Sequence, residues 1–130
     1  MAKTTASRKA KGRRLQTVIA ERIQQVFNWL SENDVRSTPM GCTGEDVWLS
    51  EEARKAFPYS VEAKNTERLN IWAALAQAEQ EARDQTPILI FKKNRSKIYC
   101  AMEFDHFMDL AKIAQEYEAQ EGEKECTLKS

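Results

Sequence analysis

Leu15, Val18, Ile19, Ile23, Val26, Phe27 and Leu30 recur three and four residues apart. That rhythm places them on one stripe of an α-helix, predicted over residues 12–32. Arg22 falls inside the stripe, where three roles stand open. Its stem can lie along apolar surface, its charge can pair with an acid, or it can meet a second subunit. Asn33-Asp34 ends the pattern, and a weak strand follows over residues 35–38. A loop with Pro39, Gly41 and Gly44 leads to a second strand over residues 46–49, its glycines permitting tight backbone approach. Ser50-Glu51-Glu52 supplies a capping hydroxyl and two first-turn acids for a short helix that ends before Pro58.

Residues 59–64 read as a central strand. Residues 66–84 predict a long helix with Leu69, Trp72, Leu75, Ala76 and Ala82 on its buried side. Pro87-Ile88-Leu89-Ile90-Phe91 is nearly all apolar, as a strand covered on both faces is. Residues 92–97 form a polar turn and 98–102 a returning strand. Residues 104–118 form a last amphipathic helix packing Phe107, Leu110, Ala111 and Ile113. The order, the short helix aside, is α-β-β-β-α-β-β-α. Helices on both sides of a mixed central sheet make an α/β fold.

A length of 130 residues suits one domain with a modest core. The formal net charge is zero but unevenly spread. Lys3, Arg8, Lys9, Lys11, Arg13 and Arg14 crowd one end without an acid, whereas Glu116, Glu118, Glu121, Glu123 and Glu125 dominate the other. Residues 1–11 are therefore expected to be a basic flexible arm, 12–118 the folded domain, and 119–130 a disordered acidic tail. The arm suits phosphate contact; a solvated tail accounts for its first eight residues equally well. Cys42, Cys100 and Cys126 are odd in number and far apart, with neither metal spacing nor a disulfide framework. A reduced, cytoplasmic setting is expected. A single histidine, His106, argues against a zinc site or a Cys-His hydrolase. No apolar run approaches membrane-spanning length, and the opening residues lack a hydrophobic signal core.

Two carboxylates and a lysine carry the chemistry. Fifteen residues separate Asp46 from Glu62, and Lys64 follows two positions on. Asp46 and Glu62 offer hard oxygens, which Mg²⁺ prefers. Glu62 and Lys64 share one face of a strand, since side chains alternate. Ala63 points away, while its backbone carbonyl can still reach a metal at the strand edge. Lys64 supplies a positive charge for an attacking water or a crowded phosphate. Glu45 is the more exposed neighbour of Asp46.

Asp46…Glu62-x-Lys64 resembles the core motif of the PD-(D/E)XK nuclease superfamily, and within it archaeal-type Holliday junction resolvases and their phage counterparts. Those begin with a helix carrying Lys-Gly-x-x-x-Glu; here Lys11-Gly12-Arg13-Arg14-Leu15-Gln16 matches, with Gln for Glu. The family's Pro-Asp reads Glu45-Asp46 here. The resemblance covers roughly residues 10–110 and implies a restriction-endonuclease-like sheet flanked by helices. It implies Mg²⁺, with Mn²⁺ able to substitute, held by Asp46, Glu62 and the Ala63 carbonyl. It implies catalytic roles for Asp46, Glu62, Lys64 and Gln16. Gln16 can hydrogen-bond a water but adds no charge, which weakens the case for a second metal. The implied activity is hydrolysis of branched DNA by a homodimer, leaving 5′-phosphate and 3′-hydroxyl ends.

DNA-binding candidates are Lys9, Lys11, Arg13 and Arg14 on the first helix and Lys92, Lys93, Arg95 and Lys97 in the polar turn. For that turn a charged hairpin that resists edge-to-edge association is an equal reading. Trp29, Trp48 and Trp72 suit a core or a dimer contact, and Trp48 can also wall the site. Ser37, Thr38 and Thr43 can touch phosphate or simply form the loop. His106 lies in a helix-start context beside Asp105. Two rivals remain: another nuclease on the same fold, separated by activity on linear ends rather than junctions, and a non-catalytic DNA-binding module, marked by loss of a metal ligand.

Overall fold

The computed structural model describes residues 4–39, 42 and 44–129, with side chains through Lys124. Helix α1 spans Thr5–Val26, earlier at both ends than residues 12–32. Thr4 starts it by accepting the Ser7 amide at 3.1 Å, and the Ala, Lys and Arg that follow are good helix formers. Arg8, Lys9 and Lys11 therefore stand on helix. The chain then turns through Asp34, whose carboxylate accepts from the Ser31 amide at 3.1 Å and the Ser50 hydroxyl at 2.8 Å.

Strands β1 (Val35–Ser37) and β2 (Val47–Leu49) pair antiparallel, with Arg36 opposite Trp48. Helix α2 (Glu51–Ala56) is capped by Ser50, which accepts from the Ala53 amide at 3.1 Å. Strand β3 (Tyr59–Asn65) leads to α3 (Ile71–Ala82) and then β4 (Thr86–Lys92), which runs parallel to β3. Strand β5 (Tyr99–Ala101) returns antiparallel to β4, and α4 (Phe104–Lys129) follows. The fold is mixed α/β. Its strands form two ladders, β1-β2 and β3-β4-β5, rather than one continuous sheet. The Asp46 amide bridges them, donating to the Val61 carbonyl at 2.8 Å.

Alternation along β3 divides the molecule. Val61 and Ala63 join Leu15, Ile19, Ile23, Val35, Val47 and Ile88 in the main core under α1. Glu62 and Lys64 take the other face, where Lys64 bonds Gln77 of α3. Val35, Val47, Val61 and Leu89 are fully buried. Truncating such a leucine to alanine costs roughly 2–5 kcal/mol.

Two expected faces differ. Helix α3 buries Ala74, Ala78 and Ala82, and Trp72 is 79 % exposed. The i, i+4 row of alanines lets the helix lie close to the sheet, which turns Trp72 outward. Helix α4 continues to Lys129. It holds the body through His106, whose Nε2 bonds Tyr59 Oη at 2.8 Å, and Leu110 is half-buried. Phe107, Ala111 and Ile113, expected to pack, are exposed: Phe107 turns away from the side on which His106 and Leu110 meet the body, and the helix runs off the body beyond Leu110. Among the described residues no helix is long and apolar enough to cross a membrane.

Candidate active site

Asp46 lies just before β2 and is held at three points. Its amide donates to Val61, its carbonyl accepts from the Thr38 amide at 3.0 Å, and its Oδ2 accepts from the Ala63 amide at 2.7 Å. Gly44 makes the approach possible with a φ of 108°, a region that L side chains avoid. Because Val61 C=O and Ala63 N–H both point at Asp46, the Ala63 carbonyl faces the same strand edge. Glu45, one residue earlier, is tied instead to the Arg54 guanidinium of α2.

Glu62 is 3 % exposed. Its Oε1 lies 3.4 Å from Lys64 Nζ, and Lys64 Nζ also donates to Gln77 Oε1 at 3.1 Å. Gln77 Nε2 in turn donates to Glu81 Oε1 at 3.4 Å. Glu62 Oε2 and Glu81 Oε2 are buried and receive no hydrogen bond from a donor group of the protein. Burial pushes the Glu62 carboxyl up to about 8, helped by the neighbouring Glu81 and Asp46 carboxylates and opposed by the Lys64 charge. Burial also raises Asp46, against the Ala63 amide and the Lys64 charge.

Sequence reasoning missed Gln77 and Glu81. Their signal was present: two polar residues four apart, on a helix whose inward row is alanine. The two must face the sheet for that spacing to matter, and the alanines decide that they do.

Gln16 is placed on the α1 side, where its Oε1 accepts the Ser37 hydroxyl at 2.7 Å. Ser37 ends β1, next to the Thr38 that binds Asp46, so Gln16 is linked to the site through β1. Trp48 is half-buried with Arg36 stacked on its ring at 4.6 Å, and it shares a cleft with Glu45 and Glu81. Trp29 is exposed and meets Phe27 edge-on. Thr38 Oγ1 donates to the Glu45 carbonyl at 2.7 Å, a loop role; Thr43 lies outside the described residues.

Among the basic candidates, Lys9, Arg13 and Arg14 are exposed on α1. Lys11 turns inward at 8 % exposure, with Nζ 3.8 Å from Glu67 Oε1. The same Glu67 oxygen accepts the Asn94 amide at 3.0 Å. It ties the turn bearing Lys92, Lys93, Arg95 and Lys97 to α1 at the Lys64 end of β3. Lys3 lies outside the described residues.

The chain matches the family described as phage putative PDDEXK endonuclease over residues 7–128. It belongs to that family. No curated protein and no solved structure matches the chain. For a PDDEXK chain the donor set bears directly on a metal. Among the described residues no group of three or more His, Cys, Asp and Glu side chains is arranged to hold a metal ion. The Asp46 and Glu62 carboxylates with the Ala63 carbonyl nonetheless fit Mg²⁺, which keeps several waters and takes few protein ligands. The unpartnered Glu62 Oε2 is an oxygen that such a cation would satisfy.

Proposed function

We infer that this nuclease is a Mg²⁺-dependent endonuclease that cuts branched DNA as a homodimer, in the manner of a Holliday junction resolvase, with Mn²⁺ able to substitute. The observation that carries the catalytic part is that Asp46 bonds the amide of Ala63, the residue between Glu62 and Lys64, while the Lys64 ammonium lies 3.4 Å from Glu62. Asp46, Glu62 and the Ala63 carbonyl would hold the metal. Bound there, Mg²⁺ would supply Lewis-acid stabilisation of phosphoryl charge and a water of lowered pKa.

The protein's own residues do the rest. The Ala63 amide fixes the Asp46 carboxylate. Gln77 holds the Lys64 ammonium beside the carboxylates, where it stabilises charge developing on the phosphoryl oxygens. Gln16, bonded to Ser37, would orient a water. Water oxygen bonds to phosphorus, the phosphorus–O3′ bond breaks, and the departing O3′ takes a proton. The ends are a 5′-phosphate and a 3′-hydroxyl.

A second copy is supported by apolar surface. Phe104, Phe107, Ile113 and Tyr117 of α4 are all more than half exposed. A groove of about 1050 Å³ opens between Val18, Ile23 and Val26 of α1, Ile98 near β5, and Leu110 of α4. A two-fold pair places two sites for two nicks with one patch.

The test is cleavage of four-way junctions and linear duplex, with Mg²⁺, with Mn²⁺ and in EDTA. Paired nicks at the junction, dependent on the metal, are expected. Cutting of linear ends alone would replace the resolvase reading with that of an end-acting nuclease. Full activity in EDTA would remove the metal.

A further inference from the structure

A cleft of about 710 Å³ lies between α1, residues 66–70 and the first turns of α3. Lys64 and Gln77 stand at one end of it, and Arg8 and Arg68 also line it. Its charged lining is Arg8, Lys11, Lys64 and Arg68 against a single acid, Glu67. That acid is engaged by Lys11 and by the Asn94 amide. Arg8 and Arg68 have no ion pair among the described residues. Leu69, Ala73 and Ala74 give it an apolar wall. The volume is that of a small-ligand site.

We propose that this cleft holds the sugar–phosphate backbone of the DNA strand adjoining the scissile phosphate, with Arg68 and Arg8 as its phosphate contacts. The reading rests on the nuclease assignment and adds the path of the strand. A phosphate opposite Lys64 is continuous with the cleft, because Lys64 belongs to both. Unpaired guanidiniums bind phosphate oxygens in a fixed fork. Contacts of this kind position a strand without reading its sequence. The apolar wall covers the sugar. The turn bearing Lys93 and Arg95, tied to the same rim through Glu67, extends the basic surface beyond it.

The test measures binding of branched DNA by the full chain in EDTA, at several salt concentrations. Arg68→Ala should flatten the slope of log affinity against log salt by about 0.9, the value of one phosphate contact. Affinity near 0.1 M salt should fall roughly fivefold or more, since that slope is worth close to tenfold per decade of salt. Lys55→Ala on α2 removes the same charge from an exposed site outside the cleft. It should leave the slope as it was. Equal slopes in wild type and Arg68→Ala would overturn the proposal, as would equal losses in both variants, which would reduce the effect to net charge. Melting curves confirm the fold of each variant. Competition separates the two sources of phosphate. A short single-stranded oligonucleotide should displace the junction, and dAMP at equal phosphate concentration should not. Displacement by dAMP that is lost in Arg68→Ala would place a free nucleotide in the cleft and overturn the strand reading. Cleavage by Asp46→Asn at the wild-type rate would sink the active-site reading and leave the cleft result standing.

Discussion

The Ala63 amide donates to Asp46 Oδ2 at 2.7 Å, so the residue between Glu62 and Lys64 locks the other carboxylate in place. The bond survives replacement of the acid by its amide, because Asn also offers a side-chain oxygen. Asp46→Asn should therefore keep its melting temperature within a few degrees while cleavage falls by more than about 100-fold, the scale for loss of a group acting at the transition state. DNA binding should persist, since less negative charge faces the phosphate. Junction cleavage, binding and melting on one preparation decide it; wild-type cutting would remove Asp46 from the site.

Lys64 and Gln77 should behave as one unit. Lys64→Ala removes the ammonium, and Gln77→Ala removes the acceptor that holds it 3.1 Å away. Each should lower the single-turnover rate more than DNA affinity, since a charge acting at the reacting phosphate matters most in the transition state. The double variant should be less impaired than the product of the two losses, because neighbours that share an interaction are not additive. Fully multiplicative losses would show that Gln77 acts elsewhere.

The metal-free protein should lose stability as pH rises from about 4.5 to about 8. Folded Glu62 holds its proton up to about 8, whereas an ordinary glutamate releases it near 4.5. Across that window the folded state binds more protons than the unfolded one, so rising pH favours unfolding. Asp46 is raised as well and adds the same sign. Melting temperature in EDTA should decline through the window, and Glu62→Gln should flatten the decline. Added Mg²⁺ should offset it near pH 8, by binding the folded state. A flat wild-type profile would contradict the buried acid pair.

Ile113 and Tyr117 extend the stripe that begins with His106 and Leu110, but they stand 61 % and 63 % exposed. If a second copy covers this stripe, Ile113→Asp should shift sedimentation from dimer to monomer with the melting temperature nearly unchanged, because the residue is mostly exposed in its own chain. A wild-type chain that sediments as a monomer at micromolar concentration would count against paired nicking.

Much of this architecture was legible in residue order. The i, i+3, i+4 rhythm marked α1, the apolar run at 87–91 marked β4, and Ser50 with two acids marked α2, because each is a local pattern with a local cause. For Asp46, Glu62 and Lys64, strand alternation put the last two on one face, and the resemblance to the nuclease motif added the first. What the chain alone did not determine depends on contacts between elements. The face of α3 turned on whether alanine or tryptophan lay against the sheet, and close packing chose the alanines. Only that choice carried Gln77 to Lys64 and Glu81 to Glu62. The outward run of α4 likewise follows from where the body ends, which its own amphipathic pattern does not encode. The two ladders meet where Asp46 bonds Val61 and Ala63 of β3, across fourteen residues of intervening chain between Asp46 and Val61. Residue order named those partners' neighbourhoods, and tertiary packing brought the carboxylates together.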